Sequence, residues 1–151
     1  RAKIGLSTER DGDLDLIEDL LQVLANHRID YTVFFRRLCD AAEGRDENVT
    51  LLFDDAGQWT EWAERWRERM SQENDSPAQC AQRMRSVNPA VIPRNHRIEE
   101  AIEEAVSEDR FDLFERLYER LARPFEDQAD DEQFLGPPAP GEEVHQTFCG
   151  T

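Results

Sequence analysis

Apolar residues recur at steps of three and four positions along most of this chain, which is the spacing of one face of an α-helix. The first such face carries Leu14, Ile17, Leu20, Leu21 and Leu24. Five further faces follow in chain order: Phe34, Phe35, Leu38, Cys39 and Ala42; Trp59, Trp62, Ala63, Trp66 and Met70; Cys80, Met84 and Val87; Ile98, Ala101, Ile102, Ala105 and Val106; Phe111, Phe114, Leu117, Tyr118 and Leu121. The pattern predicts an all-α fold of about six helices.

Several helix starts carry residues that commonly cap a first turn. We expect Asp13, Asp30, Asn95 and Asp109 to be the N-caps of the first, second, fifth and sixth helices. Residues 76–79, Ser-Pro-Ala-Gln, give the clearest start of all. Serine caps, proline fits the first helical position, and glutamine can return a hydrogen bond to the capping residue.

The segment from Asn88 to His96 interrupts the helical pattern. Pro89 and Pro93 remove backbone donors, and a residue that precedes proline favours extended geometry. The segment therefore predicts a fixed, non-helical connection between the fourth and fifth helices.

Three polar residues at the end of this segment, Arg94, Asn95 and His96, have two interpretations. Histidine titrates near neutral pH and could act as a general acid or base. The structural interpretation is favoured, because Asn95 is expected to cap a helix and Arg94 can pair with a carboxylate. His96 then lies in the first helical turn, facing solvent or bonded to the connection.

Composition narrows the possible partners. The 151 residues are enough for one ordinary domain, and the formal net charge is −16. Nucleic acid and anionic membrane surfaces are disfavoured, because both need clustered positive charge. No apolar run is long enough to span a bilayer and no signal-like start is present, so we expect a cytoplasmic protein.

The chain carries few groups that commonly bind metal or form disulfides. Its cysteines and histidines are Cys39, Cys80, Cys149, His27, His96 and His145. Their spacing matches neither a zinc site nor a secreted disulfide framework, so no metal site is predicted. Cys39 and Cys80 lie on apolar helix faces and are expected in the core.

Two acidic runs could suggest a site for a divalent metal: Glu99-Glu100 with Glu103-Glu104, and Asp130-Asp131-Glu132. Adjacent helical residues point in different directions, and vertical pairs of like charge repel. A solvated face is the favoured interpretation.

The chain is predicted to divide into a helical domain, residues 1–125, and a tail, residues 126–151. Pro124 marks the end of the last helix, because proline cannot continue it. The tail is acidic and contains Gly-Pro-Pro-Ala-Pro-Gly at 136–141, which predicts an extended conformation. It ends with Cys149, two residues from the last position, where a thiol has little backbone to fix it.

The chain resembles the C-terminal end of the selenoprotein O family, also called the YdiU family, in two segments: residues 88–96 and the final Thr-Phe-Cys-Gly-Thr. Supporting likeness lies in Arg-Ala-Lys-Ile-Gly-Leu at 1–6, in the aromatic helix start at 30–38, and in Arg-Pro-Phe at 123–125. Cys149 stands where selenocysteine-containing members carry that residue.

The resemblance implies the C-terminal part of a kinase-like helical lobe in a bacterial enzyme. Such an enzyme transfers AMP from ATP to protein hydroxyls and uses a divalent metal. By this resemblance the nucleotide-binding and catalytic residues lie upstream, so none is expected in this chain, and the missing N-terminal region is its partner. Cys149 is then either a redox thiol or an inert terminal cysteine.

Two alternatives come from other classes of protein. A free-standing acidic interaction module would use the tryptophan stripe, Trp59, Trp62 and Trp66, as a docking face. A small thiol carrier would act through Cys149. Helical spacing by default places such a stripe in a core or a domain contact, which is favoured over a docking face.

Overall fold

The computed structural model describes residues 1–128 and 132–144. These residues form eight α-helices, one short 3-10 helix and no strand, which confirms the all-α prediction. The 3-10 helix covers Ala2–Ile4, and the α-helices are α1 (Asp13–Asn26), α2 (Tyr31–Ala41), α3 (Glu47–Thr50), α4 (Gly57–Met70), α5 (Pro77–Val87), α6 (Asn95–Glu108), α7 (Asp112–Leu121) and α8 (Glu132–Leu135). Helices α3 and α8 were not predicted, because four residues are too few to show an apolar period.

Contacts divide the chain into two compact units, a first unit, Arg1–Pro89, and a second unit, Ala90–Thr151. The division predicted from composition fell after residue 125, inside the second unit. The difference has a physical cause in α8, where Phe134 is fully buried among residues of the second unit. Part of the predicted tail therefore contributes to a core.

The first unit packs α1 against α4, and α2 against both α3 and α5. The tryptophan stripe of α4 faces inward and is almost fully buried. Trp62 Nε1 donates a hydrogen bond to Leu16 O at 2.8 Å, and Trp66 Nε1 donates to Ile4 O at 2.8 Å. The buried indole N–H groups of Trp62 and Trp66 thus each have a partner. The interpretation of the stripe as core is confirmed, and the docking-face alternative is wrong.

A buried ion network holds the residues before α1 against the end of α4. Arg69 Nε donates to Asp13 Oδ1 at 2.6 Å, and Arg69 Nη1 donates to Glu73 Oε1 at 2.7 Å. The Glu73 carboxylate also accepts hydrogen bonds from the backbone N–H and hydroxyl groups of Ser7 and Thr8. The side chains of Asp13, Glu73 and Arg69 are 0%, 2% and 9% exposed.

This network shifts the pKa of both carboxyl groups downward. The hydrogen bond from Arg69 is the main reason that the pKa of Asp13 lies below its ordinary value. Burial alone would raise the pKa of Glu73, but hydrogen bonds from Ser7, Thr8 and Arg69 outweigh it and lower that pKa to about 2. Both groups are therefore ionised at neutral pH.

Two of the predicted caps in the first unit are confirmed. Asp30 Oδ1 accepts a hydrogen bond from Val33 N at 2.9 Å, and Ser76 forms a reciprocal capping box with Gln79. The Asp13 prediction is wrong, because Gly12 occupies the N-cap position and the Asp13 carboxylate is engaged with Arg69.

The other two predicted caps are also wrong. Asn95 is the first residue of α6, and its N-cap, Arg94, makes no side-chain capping bond. Asp109 ends α6 in the left-handed conformation, with φ of 52°, whereas α7 begins three residues later at Asp112. Short polar side chains suit both places, so residue type alone did not separate a helix start from a helix end.

Fewer of the predicted apolar residues of α1 are buried than the sequence indicated. Leu20 and Leu24 are buried, but Leu14 is 63% exposed and Leu21 is also exposed. Leu16, which was not assigned to the face, is buried in their place.

None of the helices in the described ranges is both long and apolar enough to cross a membrane.

Candidate functional site

Asn88, the first residue of the segment singled out in the sequence, is fully buried at the end of α5. Its Nδ2 donates to Lys3 O at 2.8 Å and lies 3.8 Å from Cys39 Sγ. Lys3 Nζ donates to Asn88 Oδ1 at 3.2 Å, and Arg36 Nη1 donates to Asn88 O at 2.9 Å. Asn88 therefore joins the first residues of the chain to α2 and α5.

Replacing Asn88 by alanine is expected to lower the free energy of unfolding of the first unit by about 1–3 kcal/mol, because Lys3 O loses a buried partner. Urea unfolding followed by tryptophan fluorescence measures this, since all three tryptophans lie in the first unit. Asn48 is exposed and gives a matched control, with an expected change within about 0.5 kcal/mol for Asn48→Ala. Equal effects of the two substitutions would contradict the structural role of Asn88.

The remainder of the segment belongs mostly to the second unit. Ala90 N donates to Pro124 O at 2.7 Å, and Arg94 Nη2 donates to Leu135 O at 2.9 Å. Pro89 is half-buried, whereas Pro93 and Asn95 are exposed. Arg94 thus contacts the backbone at the end of α8.

His96 is buried, with 8% of the residue exposed, so of the two positions expected for it the solvent-facing one is wrong. Its Nε2 is enclosed and has no hydrogen-bond partner among the described residues. Burial is the main reason that the pKa of His96 is lowered, and the positive charge of Arg97 acts in the same direction. His96 is therefore held as a neutral imidazole at neutral pH.

The acidic run of α6 behaves as the solvated face that the sequence favoured. Glu99 and Glu103 are exposed, and Arg97 pairs with Glu100 at 2.5 Å. Among residues 1–128 and 132–144, no three His, Cys, Asp or Glu side chains are placed to hold one metal ion. Asp130 and Asp131 lie outside the described residues.

The cysteines divide into two groups. Cys39 and Cys80 are buried and unpaired, which confirms their assignment to the core. Burial raises the pKa of Cys39, and it raises the pKa of Cys80 to about 11. Cys149 and His145, the candidates near the end of the chain, lie outside the described residues.

The second unit carries an apolar groove of about 540 Å³ between α6 and α7. The helices pack together through a small core, yet five large apolar residues beside it are exposed by 50% to 80%. These residues are Ile102, Val106, Phe111, Phe114 and Tyr118. The prediction that they face inward is wrong for the described structure, because a two-helix hairpin has too little surface to cover them.

This groove is the feature that sequence reasoning missed. A signal was present in the two faces of α6 and α7, which together hold more large apolar residues than two short helices can bury against each other. An apolar surface of this kind on a monomer marks a place where another element packs. The groove is therefore a candidate contact surface for further polypeptide.

Relatives described as protein nucleotidyltransferase YdiU are similar along the whole chain. The relative from Bradyrhizobium diazoefficiens is 49% identical over 152 residues, and that from Rhizobium meliloti is 47% identical over 153 residues. A third, from Rhizobium rhizogenes, is 49% identical over 153 residues. Each comparison covers 100% of this chain but only 31%, 31% and 30% of the respective relative. The chain spans about a third of the length of the curated relatives it matches.

The family model described as protein adenylyltransferase SelO matches residues 1–122. The chain belongs to this family, and the resemblance drawn from its sequence is confirmed. The matched range includes all of α6 and α7, so the apolar groove lies within the part that the family model describes.

Proposed function

We propose that this chain is the C-terminal helical portion of a protein adenylyltransferase that transfers AMP from ATP to protein hydroxyl groups. Its role is to complete and support the helical lobe that holds the active site. ATP, the divalent metal and the protein substrate are bound by the remainder of the enzyme. No residue described in this chain is assigned to the nucleotide or to the metal.

The observation that carries this proposal is the exposed groove of the second unit. Phe114 is 55% exposed and Tyr118 is 68% exposed, although both lie on the apolar side of α7. Aromatic side chains of this size gain about 1.5–3 kcal/mol each when they are removed from water. Since the chain matches only 31% of a full-length relative, much polypeptide is left over that could cover the groove.

The proposal predicts that a charge in the groove disables the complete enzyme. In the Bradyrhizobium diazoefficiens relative, the matched 31% is replaced by this chain, with and without Phe114→Asp. A carboxylate buried at a contact surface is strongly unfavourable, so we expect transfer of AMP from labelled ATP to protein to fall at least about tenfold. The measurement is incorporation of label into an acceptor protein.

Leu14→Asp is the matched control, because Leu14 is also an exposed apolar residue but belongs to the first unit and does not line the groove. It should leave the transfer rate within about twofold of the parent. Circular dichroism of the isolated chain should be unchanged by Phe114→Asp, since this side chain is exposed there. An active hybrid that tolerates Phe114→Asp would contradict the role of the groove as a contact surface within the enzyme.

A further inference from the structure

The only two methionines of the chain, Met70 and Met84, both lie against one cysteine, Cys80, inside the first unit. Cys80 Sγ is 3.9 Å from Met70 Sδ and 3.8 Å from Met84 Sδ. A Cβ carbon on Gly5 would lie 2.5 Å from Cys80 Sγ and 2.9 Å from Met84 Sδ. It would lie 3.1 Å from Met70 Sδ. Three sulfur atoms therefore converge beside the backbone of Gly5; we call them the sulfur cluster.

The fold fixes this convergence from three directions. Cys80 and Met84 are four residues apart on α5, so they share one face of that helix, and Met70 is the last residue of α4. Gly5 has φ of 83°, a conformation that favours glycine, and its missing side chain leaves the space that the sulfur atoms approach. Arg83 Nη2 donates to Gly5 O at 2.7 Å and holds this backbone in place.

We propose that the sulfur cluster binds one Cu(I) ion through Cys80, Met70 and Met84. Thiolate and thioether sulfur are soft ligands that select Cu(I) over harder ions. Three metal–sulfur bonds of about 2.3 Å arranged in one plane would place the sulfur atoms about 4 Å apart. The separations of the two methionine sulfur atoms from Cys80 Sγ, 3.9 Å and 3.8 Å, are close to this value.

Charge favours a monovalent ion at this place. Cys80 is 2% exposed and Met84 is fully buried, so a net charge there would be costly. One thiolate and two neutral thioethers balance the charge of Cu(I), whereas a divalent ion would leave a positive charge.

Binding breaks the S–H bond of Cys80 and forms a sulfur–copper bond, and the proton passes to solvent. Neither copper nor sulfur changes oxidation state.

An ion can approach the cluster through a cavity of about 420 Å³ in the first unit. Met70 and Cys80 both line this cavity, so two of the three ligands lie at its wall. Met84 lies behind them on α5. The site thus combines a preformed ligand set with an entry path, which is what a metal site of this kind needs.

Anaerobic titration with Cu(I), in competition with a chromophoric Cu(I) chelator, tests the proposal. The whole chain is used with Cys149→Ser, which removes the thiol near the end of the chain as a second ligand. We expect one equivalent of Cu(I) to bind. Met70→Leu and Met84→Leu conserve side-chain volume, so they should keep the fold while each weakens binding at least about tenfold. Cys80→Ser should abolish binding.

Cys39→Ser is the matched control, because Cys39 is equally buried but its thiol donates to Phe35 O, at 3.2 Å. Its affinity for Cu(I) should equal that of the parent. X-ray absorption of the bound copper should show three sulfur neighbours at about 2.3 Å. Absence of Cu(I) binding by the folded parent would overturn the proposal. Unchanged binding in folded Met70→Leu and Met84→Leu proteins would also overturn it.

Discussion

Asp13→Ala is expected to lower the free energy of unfolding of the first unit by about 3–5 kcal/mol, because removing one partner of a buried ion pair leaves the other charge uncompensated. The charge left behind is that of Arg69, whose Nε lies 2.6 Å from Asp13 Oδ1. Glu73 Oε1 remains 2.7 Å from Arg69 Nη1, but the Nε–H group loses the carboxylate that accepts its hydrogen bond. Urea unfolding followed by tryptophan fluorescence measures the loss.

An exposed pair in the same unit provides the control for this prediction. Arg65 Nη2 lies 2.7 Å from Asp19 Oδ2, but both side chains are about half exposed, at 51% and 52%. Water screens such a pair, so Asp19→Ala should cost no more than about 1 kcal/mol. Similar losses for Asp13→Ala and Asp19→Ala would show that the buried network has no special role.

Acid provides an independent check on the same network. The pKa values of Asp13 and Glu73 are lowered by folding, so their contribution to stability is fully present above pH 4.5, the ordinary pKa of Glu73. It is lost as the pH falls through the folded pKa of Glu73, about 2. Asp13→Ala removes only the Asp13 carboxyl, so the difference in stability between the parent and this variant should narrow as the pH falls below 3.8, the ordinary pKa of Asp13.

Trp66→Ala is the second substitution with a large expected effect, a loss of about 3–5 kcal/mol in the free energy of unfolding of the first unit. Trp66 is 1% exposed and stacks on Trp62, with the ring centroids 5.6 Å apart. Alanine would leave a cavity beside that ring and would remove the hydrogen bond to Ile4 O. Far-ultraviolet circular dichroism should follow the unfolding, because the substitution itself alters the fluorescence.

Two further substitutions separate the causes of this loss. Trp66→Phe keeps most of the volume but leaves Ile4 O without its indole donor, so it should cost about 1–3 kcal/mol. Leu51 is 78% exposed, and Leu51→Ala should change the stability by no more than about 0.5 kcal/mol. A Trp66→Ala protein as stable as Leu51→Ala would contradict the buried position of Trp66.

The sequence predicted the helices and several of their buried faces, because apolar periodicity is a local property. On α4 it identified Trp59, Trp62 and Trp66 correctly, since the surrounding helices of the first unit cover that face. On α6 and α7 the same reasoning placed Phe114 and Tyr118 inward. It failed there because periodicity shows which face is apolar, but not whether the described chain supplies a partner for it.

Polar contacts between distant residues could not be read from the sequence. Asp13 and Arg69 are 56 positions apart, and the sequence indicated for Asp13 only a local role as a helix cap. Asn88 was recognised as part of a distinctive segment, yet nothing local indicated that its amide would bond Lys3 O. Family membership was easier to predict, because short unusual segments are compared directly and need no folding argument.

Lys3 is the single lysine of the chain, and its position makes it a chemical reporter. Its ammonium group donates to Val87 O at 3.3 Å and to Asn88 Oδ1 at 3.2 Å, and it lies 5.4 Å from the centre of the Phe35 ring. A reagent that acylates lysine side chains has one target here, and acylation removes the charge that these contacts use. The rate of that reaction therefore reports how firmly these contacts hold the Lys3 ammonium group at the end of α5.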